Sequence, residues 1–166
     1  YAWIRDRMAE LVERYGVDYI KWDHNWVLSE SGNRTTGRAG VHEQTLAAYR
    51  LFAELKETFP GLEIESCSSG GGRADLGIME IADRIWGSDC IDPLERLSIH
   101  PGTSLLLPSE VVRSHVASPT PHTTGRAHSL DFRAGNAFFS HFGIEWDLTS
   151  ASPEELARLA EWVAAY

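Results

Sequence analysis

The chain has 166 residues, 43% of them hydrophobic, and a formal net charge of −9 at pH 7, a size and apolar content that suffice for a sizeable core. Its 15 Lys and Arg residues are scattered among 24 Asp and Glu residues, so the clustered basic footprint of a nucleic-acid-binding protein is missing. No apolar run approaches the roughly 20 residues of a membrane-spanning helix, and two cysteines, Cys67 and Cys90, are too few for a disulfide framework and wrongly spaced for a thiolate metal site.

These features exclude nucleic acid and membrane as expected partners and point to a reduced, cytoplasmic setting. The chain opens with Tyr1 inside a helical pattern, which is the expectation for a fragment of a larger protein. From Ile4 the apolar residues Met8, Leu11, Val12 and Tyr15 recur at helical spacing, with Gly16 as the stop. Residues 17–23 follow almost without a loop as a short buried strand. A second helix is predicted over 42–58, its stripe Leu46, Tyr49, Phe52, Leu55 and Phe59 closed by Pro60 and Gly61, and residues 62–68 resume as a strand.

After a glycine-rich turn come a short helix at 76–82 and a strand at 84–89. Beyond it, either 105–107 or 111–116 supplies another strand, 126–141 a helix and 144–148 a final strand. The last helix has the clearest signals. Ser152 is a good N-cap, Pro153 suits the first helical position, Glu155 completes a capping box, and Leu156, Leu159, Ala160 and Val163 form its stripe. Alternating helices and short strands imply an α/β fold with a parallel sheet, because parallel neighbours need crossover connections. About five strands fit either a complete doubly wound domain or roughly the second half of an eight-stranded barrel.

The polar residues at strand ends discriminate between these. In Tyr19-Ile20-Lys21-Trp22-Asp23, alternation puts Lys21 and Asp23 on one face and Ile20 and Trp22 on the other, with Asn25 continuing the polar side. Charges at the C-terminal end of a buried parallel strand are costly unless used, and barrel enzymes keep their chemistry there; a simple Lys–Asp ion pair is the plainer account. A second carboxylate, Asp89, ends the strand at 84–89, with Ile85 and Gly87 on its face and Gly87 leaving room beside it. Strand-end aspartates also serve as helix N-caps. A retaining glycosidase needs two carboxyl groups about 5–5.5 Å apart, one to attack the anomeric carbon and one to protonate the leaving oxygen.

Between the two lies Cys67-Ser68-Ser69-Gly70-Gly71-Gly72-Arg73, whose three glycines exclude a regular element. Such a loop brings backbone close to a ligand, with Arg73 and Asp75 bracing it, unless it is only a surface turn. It lacks the ending of a phosphate-binding loop. The seven histidines, among them His24, His115, His122 and His128, match no zinc motif, so no metal is expected; His115 and His122 read as loop or pocket-rim residues. Asp147, after Trp146 at the end of the last strand, could reach a barrel mouth but reads rather as a cap for the following helix. Trp22, Trp26 and Trp86 stand near enough to the motifs for one to stack on a sugar.

The segments Tyr19-Ile20-Lys21-Trp22-Asp23-His24-Asn25, Glu65-Ser66-Cys67-Ser68-Ser69-Gly70-Gly71-Gly72-Arg73 and Trp86-Gly87-Ser88-Asp89-Cys90-Ile91-Asp92, then Glu95-Arg96-Leu97 and Gly102-Thr103-Ser104, closely resemble the microbial α-galactosidases of glycoside hydrolase family 36. The resemblance runs through Gly125-Arg126 and the last helix. It implies that residues 1–166 are the C-terminal half of a (β/α)8 TIM-barrel catalytic domain, with Asp23 as nucleophile and Asp89 as general acid/base. Lys21, Trp22, Asn25, Cys67, Gly70, Gly71, Arg73 and Trp86 would bind or shape the site for a terminal α-galactoside of an oligosaccharide.

The resemblance implies no cofactor and no metal. The chain departs from the family pattern at Trp26, where Arg is frequent, at Ser69, where Gly is usual, and at Ala74, where an aromatic residue is usual. The family's N-terminal β-rich domain and first barrel strands have no counterpart in it. A half barrel leaves edges and apolar faces open, so poor solubility as a monomer or association with a second copy is expected. The alternative to an enzyme is an inactive galactoside-binding or structural remnant of the barrel.

Overall fold

The computed structural model describes residues 1–25, 28 and 31–166, and these form two compact units, Tyr1–Asp83 and Arg84–Tyr166. In the first, helix α1 (Ala2–Tyr15) ends where Gly16 adopts φ 59° and its N–H closes on the Val12 carbonyl, a left-handed cap that glycine takes without a Cβ penalty. Strand β1 (Tyr19–Trp22) follows, then α2 (Val41–Thr58) and β2 (Glu63–Ser66). β1 and β2 are parallel, with Ile20 opposite Ile64. The short α3 (Leu76–Met79) is capped by Asp75, whose carboxylate accepts the Ile78 N–H.

The core of this unit is Val12, Leu51, Phe52, Leu55, Leu62, Ile64, Ile78 and Ala82. Lys56 near the end of α2 pairs with Asp83 at 2.6 Å, and Asp83 also accepts the Ile64 N–H at 2.8 Å. One carboxylate thereby ties helix to strand.

The second unit holds β3 (Arg84–Trp86), α4 (Pro93–Ser104), β4 (Val112–Ala117), α5 (Leu130–Ala137), β5 (His141–Glu145) and α6 (Pro153–Ala165). β3 pairs with β4, and β4 with β5, in both cases parallel. Val116, Leu130, Ala134, Ala137 and Leu159 form its core, with Phe142, Trp146 and Trp162 against it. α6 carries the predicted capping box in full: the Ser152 side chain accepts from the Glu155 N–H while Glu155 reaches back to the Ser152 N–H.

Several predicted boundaries move. Helix α4 has no counterpart among the predicted elements; Pro101 and Gly102 fall in its last turn, and its start is secured by Asp92 as N-cap and Pro93 behind it. Residues 105–107 are not a strand, and the alternative at 111–116 corresponds to β4. The helix expected over 126–141 spans only Leu130–Ala137, because Ser129 caps it by accepting the Phe132 N–H. The final strand begins at His141 rather than 144. Asp147 caps the 3-10 turn Leu148–Ser150, not α6.

Candidate active site

Asp23 follows directly on β1 in the first unit. Its exposed carboxylate accepts a hydrogen bond from the Asn25 side-chain amide at 2.9 Å. The Asn25 carbonyl oxygen in turn accepts the Ser69 backbone N–H at 2.9 Å and the Ser69 hydroxyl at 3.2 Å. Ser68 donates its hydroxyl to the His24 carbonyl at 2.8 Å. The loop after β2 is thus laced to the loop after β1.

Electrostatically, partial burial pushes the Asp23 carboxyl upward, but hydrogen bonds from the Cys67 thiol, the Asn25 amide and the backbone N–H groups of Ser69 and His24 outweigh it, and the net shift is below the ordinary aspartate value. Cys67 itself is buried, and burial together with its contact to the Asp23 charge raises the thiol to about 11. It is a neutral donor and not a thiolate. Lys21 lies on the exposed side of β1, and its charge acts on Cys67.

The glycine-rich loop is shaped by its own backbone. Ser69 and Gly70 have φ of 48° and 77°. A Cβ on Gly72 would stand 2.5 Å from the Ser68 carbonyl oxygen, so that position admits no side chain. Arg73 braces the loop from below, donating to the carbonyls of Trp22 at 3.1 Å and Cys67 at 2.7 Å and to the Ser66 hydroxyl at 3.1 Å. Trp22 turns its ring onto Phe52 of α2, centroids 4.7 Å apart, which makes it a wall behind the strand end. Trp26 lies outside the described residues. Sequence reasoning assigned no role to Glu65, which is buried in β2 and accepts a hydrogen bond from the Tyr19 hydroxyl.

In the second unit Asp89 is exposed, three residues past the buried Trp86. Strict alternation would put Trp86 and Asp89 on opposite faces. β3 ends at Trp86, however, and the chain turns so that the indole N–H donates to the Asp89 carboxylate at 2.9 Å. A Cβ on Gly87 would meet the side chains of Thr103 and Val112. His115 is not a loop residue: it lies in β4 and stacks on Trp86 with centroids 4.4 Å apart.

Asp92, fully buried, caps α4 and accepts from the Thr124 hydroxyl; Arg126 reaches it at 3.2 Å and His128 at 3.1 Å. Burial alone would raise this carboxyl. Hydrogen bonds from Thr124, the Leu94 N–H, His128 and the Glu95 N–H prevail and hold it at about 2. Among the described residues no group of three or more His, Cys, Asp or Glu could hold a metal ion, and no helix is long and apolar enough to cross a membrane.

The structure thus brings together Asp23, Asn25, Cys67 and Ser69 in one unit, and Trp86 and Asp89 in the other. The family model described as Melibiase matches residues 1–166. An α-galactosidase of Escherichia coli is 41% identical over 93% of the chain, which spans 22% of that relative's length. The solved α-galactosidase of Lactobacillus brevis matches with a TM-score of 0.92 at 37% identity, over 99% of this chain and 23% of its own. A variant of the family 36 α-galactosidase AgaA from Geobacillus stearothermophilus, solved in complex with raffinose, matches with a TM-score of 0.94 at 32% identity, over 99% of this chain and 24% of its own. The fold is accordingly part of a glycoside hydrolase family 36 (β/α)8 barrel. Matched from first residue to last, this chain belongs to the Melibiase family.

Proposed function

We propose that this chain carries the two catalytic carboxylates of a retaining α-galactosidase, Asp23 as nucleophile and Asp89 as general acid/base. In this mechanism Asp23 attacks the anomeric carbon of a terminal α-galactoside as Asp89 gives a proton to the departing glycosidic oxygen. The C1–O bond breaks and a β-linked galactosyl ester on Asp23 forms. Asp89, now ionised, takes a proton from water; the hydroxyl adds to C1 and the ester bond breaks, returning Asp23 as carboxylate and galactose with net retention.

The observation that carries the reading is the hydrogen-bonding of Asp23. Thiol, amide and backbone donors converge on it and hold it ionised, as a nucleophile requires. Lys21, Cys67, Gly70, Gly71 and Arg73 form or brace its surroundings, and Trp86 holds Asp89. AgaA variants have been solved with raffinose and with stachyose, which supports α-galactosides of the melibiose and raffinose type as substrates. A cytoplasmic location and a homo-oligomeric assembly belong to the same reading. Two free thiols, Cys67 and Cys90, suit a reducing compartment.

The test uses Asp23→Ala and Asp89→Ala in the full protein with an aryl α-galactoside. Each replacement is expected to lower kcat by roughly three orders of magnitude or more. Azide should restore turnover in both, giving α-galactosyl azide from Asp89→Ala, where it intercepts the β-linked ester in the place of water, and β-galactosyl azide from Asp23→Ala, where it attacks from the side of the missing carboxylate. Full activity in either variant, or an inactive parent protein that still binds galactosides, would replace this reading with that of a binding remnant.

A further inference from the structure

The segment Glu95-Arg96-Leu97 has no part in the mechanism above, yet Arg96 holds an unusual position. It is buried, only 3% exposed. Its Nε donates to the Cys90 carbonyl at 2.6 Å and its Nη2 to the Ser88 carbonyl, the two carbonyls that flank Asp89 in the chain. Its guanidinium carbon stands 4.3 Å from the centre of the Trp86 ring, and that same indole donates to the Asp89 carboxylate at 2.9 Å. We propose that Arg96 is a positioning residue for the acid/base carboxylate, fixing Asp89 through its two neighbouring carbonyls and through Trp86. The inference deepens the assignment of Asp89 as acid/base and rests on it.

Asp89 needs such support because β3 stops at Trp86. From residue 87 onward no strand ladder holds the chain. Local bonds supply little: the Ser88 hydroxyl accepts the Cys90 N–H at 3.1 Å. A proton donor must meet the glycosidic oxygen at about 2.6–3.2 Å, and displacement by 1 Å costs on the order of 100-fold in rate. A single planar guanidinium spans both carbonyls and lies on the indole at once, which a lysine ammonium cannot do. Burial lowers Arg96 to about 10, opposed by Cys90, Glu145 and Asp89, so the charge persists at neutral pH. His115, stacked on Trp86 and accepting from Arg113 Nε at 3.0 Å, restrains the indole further.

The experiment compares kcat/KM for melibiose, whose leaving sugar must be protonated, with that for 2,4-dinitrophenyl α-galactoside, whose leaving group needs no proton. For Arg96→Lys in the full protein, the melibiose value is expected to fall about 30-fold or more and the dinitrophenyl value by less than about 3-fold. Arg96→Gln, which keeps planarity but not charge, should show the same split. Equal losses on both substrates, or loss of the folded state in both variants by circular dichroism, would assign Arg96 to stability alone and overturn the proposal. Asp89→Ala measured in parallel separates the two ideas. A leaving-group split and azide rescue there, without a split in the Arg96 variants, refutes only the positioning role; neither split nor rescue in Asp89→Ala refutes the acid/base assignment and the inference with it.

Discussion

Asn25 joins two loops through one side chain: its amide donates to Asp23 and its carbonyl accepts from Ser69. Asp23 lies below the ordinary aspartate range because such donors outweigh its partial burial. Removing one donor therefore raises the pKa of the group proposed as nucleophile, which in that role attacks as the carboxylate. Asn25→Ala is expected to move the acid limb of kcat/KM to higher pH, read from a pH–rate profile of the full protein; an unmoved limb would mean that the Asn25 amide does not set the ionisation of Asp23. The departure at Ser69 also acquires a physical reading. Its φ of 48° lies in the left-handed region where glycine costs least, and here serine holds it with its hydroxyl 3.2 Å from Asn25. Strand alternation was enough to place Asp23 and Asn25 on a polar side. It was silent on Cys67 and Ser69 as their partners, because 44 residues separate Ser69 from Asn25.

Helix α4 depends at its N-terminus on Asp92, a buried carboxylate that also gathers Thr124, Arg126 and His128 from the segment after β4. Its carboxyl is held at about 2 against an ordinary 3.8. A depressed carboxyl contributes stability above its unfolded pKa, and that contribution disappears as pH falls from about 4 toward 2. Asp92→Asn should then cost on the order of 2 kcal/mol at neutral pH. Urea unfolding of the full protein is expected to show that gap closing as the pH approaches 2; a gap of constant size would mean that ionisation is not its source. Among the elements, those with signals inside their own few residues were legible beforehand: α1 with Gly16, and α6 with its capping box. α4 was not: its final turn holds Pro101 and Gly102, residue types that ordinarily interrupt a helix.

At the scale of the whole chain, large apolar side chains stand in solvent: Trp3 is 74% exposed, Leu105 91% and Phe139 82%. Isolated apolar residues are ordinary on surfaces, but many such groups favour association. The isolated 166-residue chain is expected to sediment as species heavier than a monomer. A single monomeric species with a cooperative melt would contradict this. What the sequence determined by itself was the alternation of strands and helices and the carboxylate directly after β1, because period and capping act between residues within a turn or two of one another; Asp89, expected to end its strand, lies three residues beyond β3. Only the tertiary structure decided what surrounds those carboxylates, Cys67 and Asn25 at Asp23 and Trp86 and Arg96 around Asp89, and what gathers at the buried Asp92. Those contacts join residues from different elements, and their distances follow from how strands pair and helices settle, which no local pattern encodes.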